Sequence, residues 1–194
     1  MLCCNQHKKV EDKSGKINQE IKEIEIYNAT EKLIKKKSNV KKELKKFYEC
    51  DKIEHFYLNV SEEKVMKLLR NKNKTTNETI LQKLLVSNFP ESITEPNFES
   101  ILLENKFIKT ELNKIKKSEV ENIFSQKDSL KTEFSSCIAY YRDVFVLKKD
   151  DSIIGIAKVC FGCGISQFKG TKVDTEGFGL YTELEKLEKI IRNK

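Results

Sequence analysis

The sequence predicts an α+β fold: a single domain in which an antiparallel sheet, with a β-hairpin near the C-terminus, packs against several helices. Two apolar runs at 140–148 and 152–161 flank a short charged turn, which is the pattern of a hairpin. Apolar residues spaced three and four apart predict helices, most clearly at 181–194. Six of the seven glycines lie at 155–179, where we expect tight turns.

The length of 194 residues suits one domain with an N-terminal arm. Residues 1–20 are polar and lack periodicity, and they predict a disordered tether. The α+β domain is then expected to span 21–194. Its first strand is predicted at 21–29, where isoleucines alternate with glutamates.

The first half of the domain alternates between strand-like and helical patterns. The lysine-rich segment 31–50 has loosely helical apolar spacing, whereas 54–60 is rich in aromatic and branched residues and predicts a strand. Ser61 is the predicted cap of the helix that follows. Thr76 or Asn77 is the predicted cap of the next helix, which ends before Pro90.

The second half is expected to add a short helix at 97–104, a strand within 107–115 and a helix capped by Ser118. The hairpin and a terminal helix complete the domain. In that terminal helix, Leu184 and Leu187 are predicted to be buried, with Glu183 and Lys186 on the outer face.

The net charge of +7 and the isoelectric point near 8.9 would suit a polyanionic partner. However, lysines and glutamates are interleaved over much of the chain, and the densest basic stretch, Lys35–Lys46, includes Glu43. No nucleic-acid-binding signature accompanies it. The pattern favours a solvated charged surface over a nucleic-acid site.

Near the N-terminus, two adjacent cysteines, Cys3 and Cys4, follow Met1 and Leu2 and precede a polar tail. A mature bacterial lipoprotein begins in this way, so lipidation at one of them and an envelope address are predicted. The charged and apolar leader segments of a signal peptide do not precede them in this sequence, and a cytoplasmic protein with a disordered N-terminus is the alternative. No apolar run approaches the ~20 residues of a membrane span, so membrane contact is expected only through the anchor.

Cysteines at both ends of the hairpin suggest a structural disulfide. If Leu147 pairs with Ile153, then Cys137 lies opposite Cys163, near the distance that a disulfide requires. Cys160 is the other candidate partner for Cys137. The same register places Arg142 opposite Lys158, which is an unfavourable pair of like charges.

Three other interpretations of these cysteines stay open. Cys160 and Cys163 have the CxxC spacing of thiol oxidoreductases, but no clear helix follows them. Three cysteines with no histidine nearby are one ligand short of a structural zinc site. They could also be inert buried thiols.

Other signs of chemistry are few. The sequence lacks the glycine-rich phosphate loops, HExxH and GxSxG, so no catalytic residue and no cofactor are predicted, and an enzyme is not favoured. Arg142, Asp143 and Lys158 are charges within the hairpin. They are a candidate binding surface, and a solvated sheet face is the simpler explanation.

The C-terminal region resembles a group of uncharacterised bacterial proteins, many of them predicted lipoproteins. They share a hairpin of the form YRD, turn, IG.AKICF.C, followed by a leucine-rich helix. The residues that match are Tyr141, Arg142, Asp143, Ile154, Gly155, Ala157, Lys158, Cys160, Phe161 and Cys163. The resemblance covers about 137–190, and it implies the hairpin and the envelope address but no reaction.

Taken together, these observations predict a non-enzymatic binding protein at the cell envelope. Its partner is expected to be another protein, and an immunity or inhibitor protein is one form that this function could take. The alternative, from a different class, is a metal-binding or thiol-redox protein that uses Cys137, Cys160 and Cys163.

Overall fold

The structure is a computed structural model that describes residues 44–127, 137–179 and 181–192. The predicted tether at 1–20, the strand at 21–29, and Cys3 and Cys4 lie outside these ranges. The described residues belong to one compact unit that begins at Leu44.

An antiparallel sheet of five strands forms the centre of the described fold, which confirms the predicted α+β class. Its strands are β1 (Lys52–Tyr57), β2 (Ile108–Glu111), β3 (Asp143–Lys149), β4 (Ser152–Cys160) and β5 (Ile165–Lys169). The strand order is β2-β1-β3-β4-β5, and every neighbouring pair is antiparallel.

Five helices accompany the sheet within the described ranges. They are α1 (Glu62–Arg70), α2 (Thr76–Val86), α3 (Phe98–Glu104), α4 (Lys114–Ile123) and α5 (Tyr181–Arg192). None of them is long and apolar enough to cross a membrane.

Both faces of the sheet are covered, because alternate residues of the central strands enter two separate cores. Phe145 faces a core with α4 and α5 that includes Phe124 and Leu187. Its neighbour Val146 faces a second core with α1, α2 and α3 that includes Leu85. Burial on both faces explains why β3 is a continuous apolar run in the sequence.

The predicted hairpin is present, but the predicted register is wrong. Asp150 and Asp151 have positive φ angles of 48° and 57°, as a two-residue type I′ turn requires, and this turn places Lys149 opposite Ser152. The register then shifts between Leu147 and Lys148. Leu147 therefore lies opposite Gly155 instead of Ile153.

The corrected register removes the like-charge pair that the sequence suggested. Lys158 lies opposite Val144, and Arg142 precedes the first residue of β3. The length of the turn and any bulge determine which residues of a hairpin lie opposite one another. The predicted pairing included neither the two-residue turn nor the bulge that the structure has.

Two of the three predicted helix caps are wrong. Ser61 caps α1 as expected, with its side chain accepting from the Lys64 N–H. Thr75 caps α2 in place of Thr76 or Asn77, because its hydroxyl and the Glu78 carboxylate satisfy each other's backbone N–H groups.

The cap of α4 is Asn113, so this helix begins before Ser118. Its first turn was not predicted, because the lysines at 114, 116 and 117 interrupt the apolar spacing by which a helix is recognised.

Residues 44–50 are not helical, contrary to the predicted spacing. Lys46 forms a β-bridge with Ser125, and the Phe47 N–H donates to the Phe124 carbonyl at 2.8 Å. Phe47 and Tyr48 are both buried. Tertiary contacts with the residues that follow α4 therefore determine this segment's conformation.

The terminal helix packs largely as predicted. Leu184 and Leu187 are buried, and Lys186 is exposed. The prediction that Glu183 lies on the outer face is wrong, because this residue is half-buried and forms an ion pair with Lys127 at 2.5 Å.

Candidate functional site

A groove between α1 and α2 is the candidate binding site. Its volume is about 790 Å³. Its lining residues are Val60, Glu63, Lys64, Val65, Met66, Lys67, Leu68, Arg70, Asn71, Glu78, Leu81 and Leu85. The caps Ser61 and Thr75 fix where the two helices begin, and Val65 and Leu85 anchor them on the same core.

The floor of the groove is apolar and only partly covered. Val65 and Leu85 are buried, whereas Val60, Leu68 and Leu81 are half-buried. Half-buried aliphatic side chains still expose apolar surface, whose removal from water contributes roughly 25 cal/mol per Å². The floor can therefore stabilise an apolar partner surface.

One wall carries a basic ridge, which we define as Lys64, Lys67 and Arg70 of α1. These residues are three apart, so their Cβ atoms follow one side of the helix. None of the three forms an ion pair with another described residue.

The acidic residues of the groove are fewer. Glu63 lies beside the basic ridge, and Glu78 is engaged in the capping box. Hydrogen bonds from the Thr75 backbone and side chain lower the pKa of Glu78, so its carboxylate is committed to the helix N-terminus. The excess charge of the groove is positive.

The three predicted binding residues of the hairpin do not form one surface. Arg142 is half-buried, and its guanidinium donates to the Val60 carbonyl at 3.3 Å, which places it at one end of the groove. Asp143 and Lys158 are 2% exposed. Asp143 faces the core with α5, whereas Lys158 lies on the opposite face of the sheet. The solvated-face interpretation is therefore wrong for both.

Lys158 connects the sheet to the end of α2. Its Nζ donates to the carbonyl oxygens of Ser87 and Phe89, each at 2.8 Å, and lies 4.5 Å from the ring centroid of Tyr141. Burial, together with the charge of Lys169, lowers the pKa of Lys158 to about 7. Ser87 is the C-cap of α2, so Lys158 holds the helix that forms one wall of the groove.

Asp143 belongs to a buried charge network at the other face. His55 Nε2 lies 2.9 Å from Asp143 Oδ1, and Arg192 Nη2 donates to both carboxylate oxygens at 2.8 and 3.0 Å. The Arg192 guanidinium also lies 4.2 Å from the ring centroid of Tyr57. Burial opposes the charge of Arg192, but Asp143 and Glu188 outweigh it and raise its pKa.

Sequence reasoning missed this network because its members come from three separate elements. His55 is 88 residues from Asp143, and Arg192 is 49 residues from it. The only signal in the sequence was that His55 and Asp143 are polar residues in otherwise apolar strands, since a buried polar group needs a hydrogen-bonding partner.

A second charge cluster lies at the β2 edge of the sheet. The buried Glu54 carboxylate is 2.9 to 3.1 Å from the ammonium groups of Lys52, Lys109 and Lys148. Burial alone would raise the pKa of Glu54, but the three lysines lower it to about 2. Glu99, which lies on α3, also forms ion pairs with two of these lysines, Lys109 and Lys148.

A cavity of about 750 Å³ near the β3–β4 turn is less suited to binding. Its charged lining includes Lys52, Lys117 and Lys148, and each of these is already in an ion pair within the protein.

A disulfide joins Cys137 to Cys163, with Cα atoms 6.1 Å apart. Neither residue belongs to the ladder of β3 and β4, so the pairing does not arise from the register that suggested it. Cys160 is a free, buried thiol. Within the described residues no group of three histidine, cysteine or acidic side chains could hold a metal ion.

Cys50 is a second free, buried cysteine, distant in sequence from the hairpin. Its sulfur lies 3.3 Å from Glu121 Oε1. Burial and the neighbouring Glu121 raise the pKa of Cys50 to about 12, which keeps this thiol protonated and inert.

Comparisons with known proteins give no match: neither the protein-family models, nor the curated proteins, nor the solved structures include a significant relative of this chain.

Proposed function

We propose that this protein is a non-enzymatic binding protein of the cell envelope that holds an acidic amphipathic helix of a partner protein in the α1–α2 groove. The observation that carries the proposal is the combination of a half-buried apolar floor with a basic ridge that forms no ion pair with the residues the structure describes. An amphipathic helix places its apolar face in such a groove and its charged face at the rim.

The charge of the groove supports an acidic partner. Lys64, Lys67 and Arg70 form no ion pairs with other described residues, so a partner's carboxylates would not have to displace an internal one. Charge complementarity at a rim increases association rates and selects partners. The net charge of +7 acts in the same direction at longer range.

The envelope address is supported by the Cys137–Cys163 disulfide, which suits an oxidising compartment. The adjacent Cys3 and Cys4 are the candidate lipidation site. Cells fed a palmitate analogue should tag the protein. Changing Cys3 and Cys4 to serine should remove the tag, whereas an untagged protein in the cytoplasmic fraction would contradict the address.

The groove is tested with synthetic helical peptides and the full chain. The acidic peptide carries leucines at i, i+3, i+4 and i+7 and glutamates on the opposite face, and the control peptide replaces the glutamates with lysines. In fluorescence anisotropy the acidic peptide should bind about tenfold more tightly, which corresponds to ~1.4 kcal/mol.

Variants locate the site. Leu81→Asp should abolish binding through the apolar floor, and Lys67→Glu should weaken it and reduce its salt dependence. Lys186→Glu changes an exposed lysine on α5 and is the matched control for charge. Equal binding of both peptides, or binding that survives Leu81→Asp, would contradict the proposal. Anionic vesicles that bind in place of the peptide would identify a lipid surface instead.

An immunity or inhibitor protein is one form of this function, in which the bound helix belongs to a toxin or an enzyme. Occlusion of that helix would then inhibit the partner without any chemistry by this chain.

A further inference from the structure

Three cysteines lie at the end of the hairpin farthest from the β3–β4 turn. Strand β4 ends at Cys160, which pairs with Ile165 at the start of β5. Cys163 lies in the turn between these strands and is bonded to Cys137.

Cys163 is bonded to Cys137 and stands three residues after Cys160. Disulfides require Cα atoms roughly 4.4–6.8 Å apart, and the Cys137–Cys163 separation is 6.1 Å. Cys160 and Cys163 are the two ends of a CxxC segment that lies in a turn, and the cysteines of such segments exchange disulfides in thiol oxidoreductases.

The chain that follows Cys137 runs beside both sulfurs. The Tyr140 N–H donates to Cys160 Sγ at 3.4 Å, and Cys163 Sγ lies 3.4 Å from the Ile138 carbonyl oxygen. The three sulfurs therefore belong to one local arrangement.

We propose that Cys137, Cys160 and Cys163 form a thiol–disulfide exchange site in which Cys163 is the shared sulfur. Cys160 loses its proton to water, and its thiolate attacks Cys163 Sγ. The Cys160–Cys163 bond forms as the Cys137–Cys163 bond breaks, and Cys137 leaves as a thiolate that takes up a proton. One disulfide and one thiol are present before and after, so no oxidant or reductant is consumed.

The exchange changes which thiol solvent can reach. Cys160 is buried, whereas Cys137 is exposed. The exchange therefore converts an internal thiol into an accessible one, which can attack an exposed disulfide of a small molecule or of a partner protein. This activity goes beyond the proposed binding function and involves no residue of the α1–α2 groove.

The experiment labels accessible thiols on the folded, oxidised full chain, in a background in which Cys3 and Cys4 are serine. A maleimide is applied at neutral pH, and tryptic fragments are mapped without reduction. Cys137 lies in the fragment 132–142, while Cys160 and Cys163 share the fragment 159–169. Label on the first fragment should accompany an internal disulfide in the second.

Two variants separate exchange from simple opening of the disulfide. Cys160→Ser should abolish the label on Cys137, because no internal nucleophile remains. Cys50→Ser removes the other buried thiol and should leave the label unchanged. Label on Cys137 that persists in Cys160→Ser would overturn the proposal, and so would a wild-type protein in which Cys137 stays bonded to Cys163.

Discussion

Lys158 shows how a single side chain can connect an element to the sheet. The sequence places this lysine between Ala157 and Val159 in a strand, and nothing there distinguishes a solvated charge from a buried one. In the structure its ammonium donates to two backbone carbonyls at the end of α2. Those carbonyls have no helical donor, so the lysine satisfies groups that would otherwise be unpaired.

The pH dependence of stability should reveal this lysine. Its pKa is about 7 in the folded protein and 10.5 in the unfolded chain, so between these values the unfolded chain binds more protons. Stability therefore rises with pH over that window, by up to about 1.4 kcal/mol per pH unit. The charge of the neighbouring Lys169 also lowers the pKa of Lys158, and that charge is unchanged when Lys158 is replaced.

Urea unfolding of wild type and Lys158→Met at pH 7, 8, 9 and 10 measures the effect. The variant leaves the Ser87 and Phe89 carbonyls unpaired at every pH, so it should be less stable throughout but lack the rise. Subtracting the two curves cancels the other titrating groups. Parallel curves would show that Lys158 keeps an ordinary pKa.

Gly155 offers a second test at the residue scale. A Cβ atom at this position would lie 2.8 Å from Cζ of Tyr48 and closer still to two other ring carbons. The ring cannot move freely, since its hydroxyl donates to the Lys169 carbonyl at 2.8 Å. Gly155→Ala should cost about 1–3 kcal/mol in chemical denaturation, as overpacking does. Gly162→Ala, where a Cβ meets nothing within 4 Å, should leave the stability nearly unchanged.

At the scale of elements, the spacing of apolar residues predicted those helices and strands whose formation depends on nearby residues in the sequence. Helix α1 and the strands of the hairpin follow from apolar spacing and a strong cap, and the structure has them. The non-helical segment 44–50 could not be predicted in this way, because its backbone hydrogen bonds join it to residues 124–126, which follow α4 and lie about 80 positions away. The candidate groove could not be predicted from the sequence either, because it is formed by the packing of α1 against α2.

Helix α5 gives the clearest test of packing by an element. Leu187 is fully buried in the core beneath the sheet, whereas the adjacent Lys186 is exposed. Leu187→Ala should cost roughly 2–5 kcal/mol, because it removes apolar contacts and leaves a cavity. Lys186→Ala should change stability by less than about 0.5 kcal/mol. Thermal melts of the two variants measure the difference, and equal shifts would contradict this packing of α5.

At the scale of the whole molecule, the two faces of the sheet differ in how their charged side chains are paired. The face with α4 and α5 encloses the network in which Asp143 pairs with Arg192 and hydrogen-bonds His55 inside the protein. The other face carries α1 and α2, whose basic ridge has no internal partners among the described residues. Alternation along a strand predicts that the adjacent Arg142 and Asp143 face opposite sides of the sheet, but not which helices cover each side, and that determines which charges are paired.

Acid unfolding should depend on the Glu54 cluster, which joins β1, β2, β3 and α3. The pKa of Glu54 is about 2 in the folded protein and 4.5 in the unfolded chain. Its contribution to stability is therefore complete above pH 4.5 and is lost as the pH falls towards 2.

Glu54→Gln should remove that contribution at every pH and lower stability at pH 7 by about 3 kcal/mol. This lies at the lower end of the range for breaking a buried ion pair, because Lys52 and Lys109 are each about one-third exposed. The matched control is Glu111→Gln: Glu111 pairs with Lys52 at 2.9 Å, but its side chain is 60% exposed, so its loss should cost less than about 1 kcal/mol. Urea midpoints between pH 2 and 7 should converge for wild type and Glu54→Gln as the carboxylate protonates. A constant gap across that range would mean that the charge of Glu54 does not stabilise the fold.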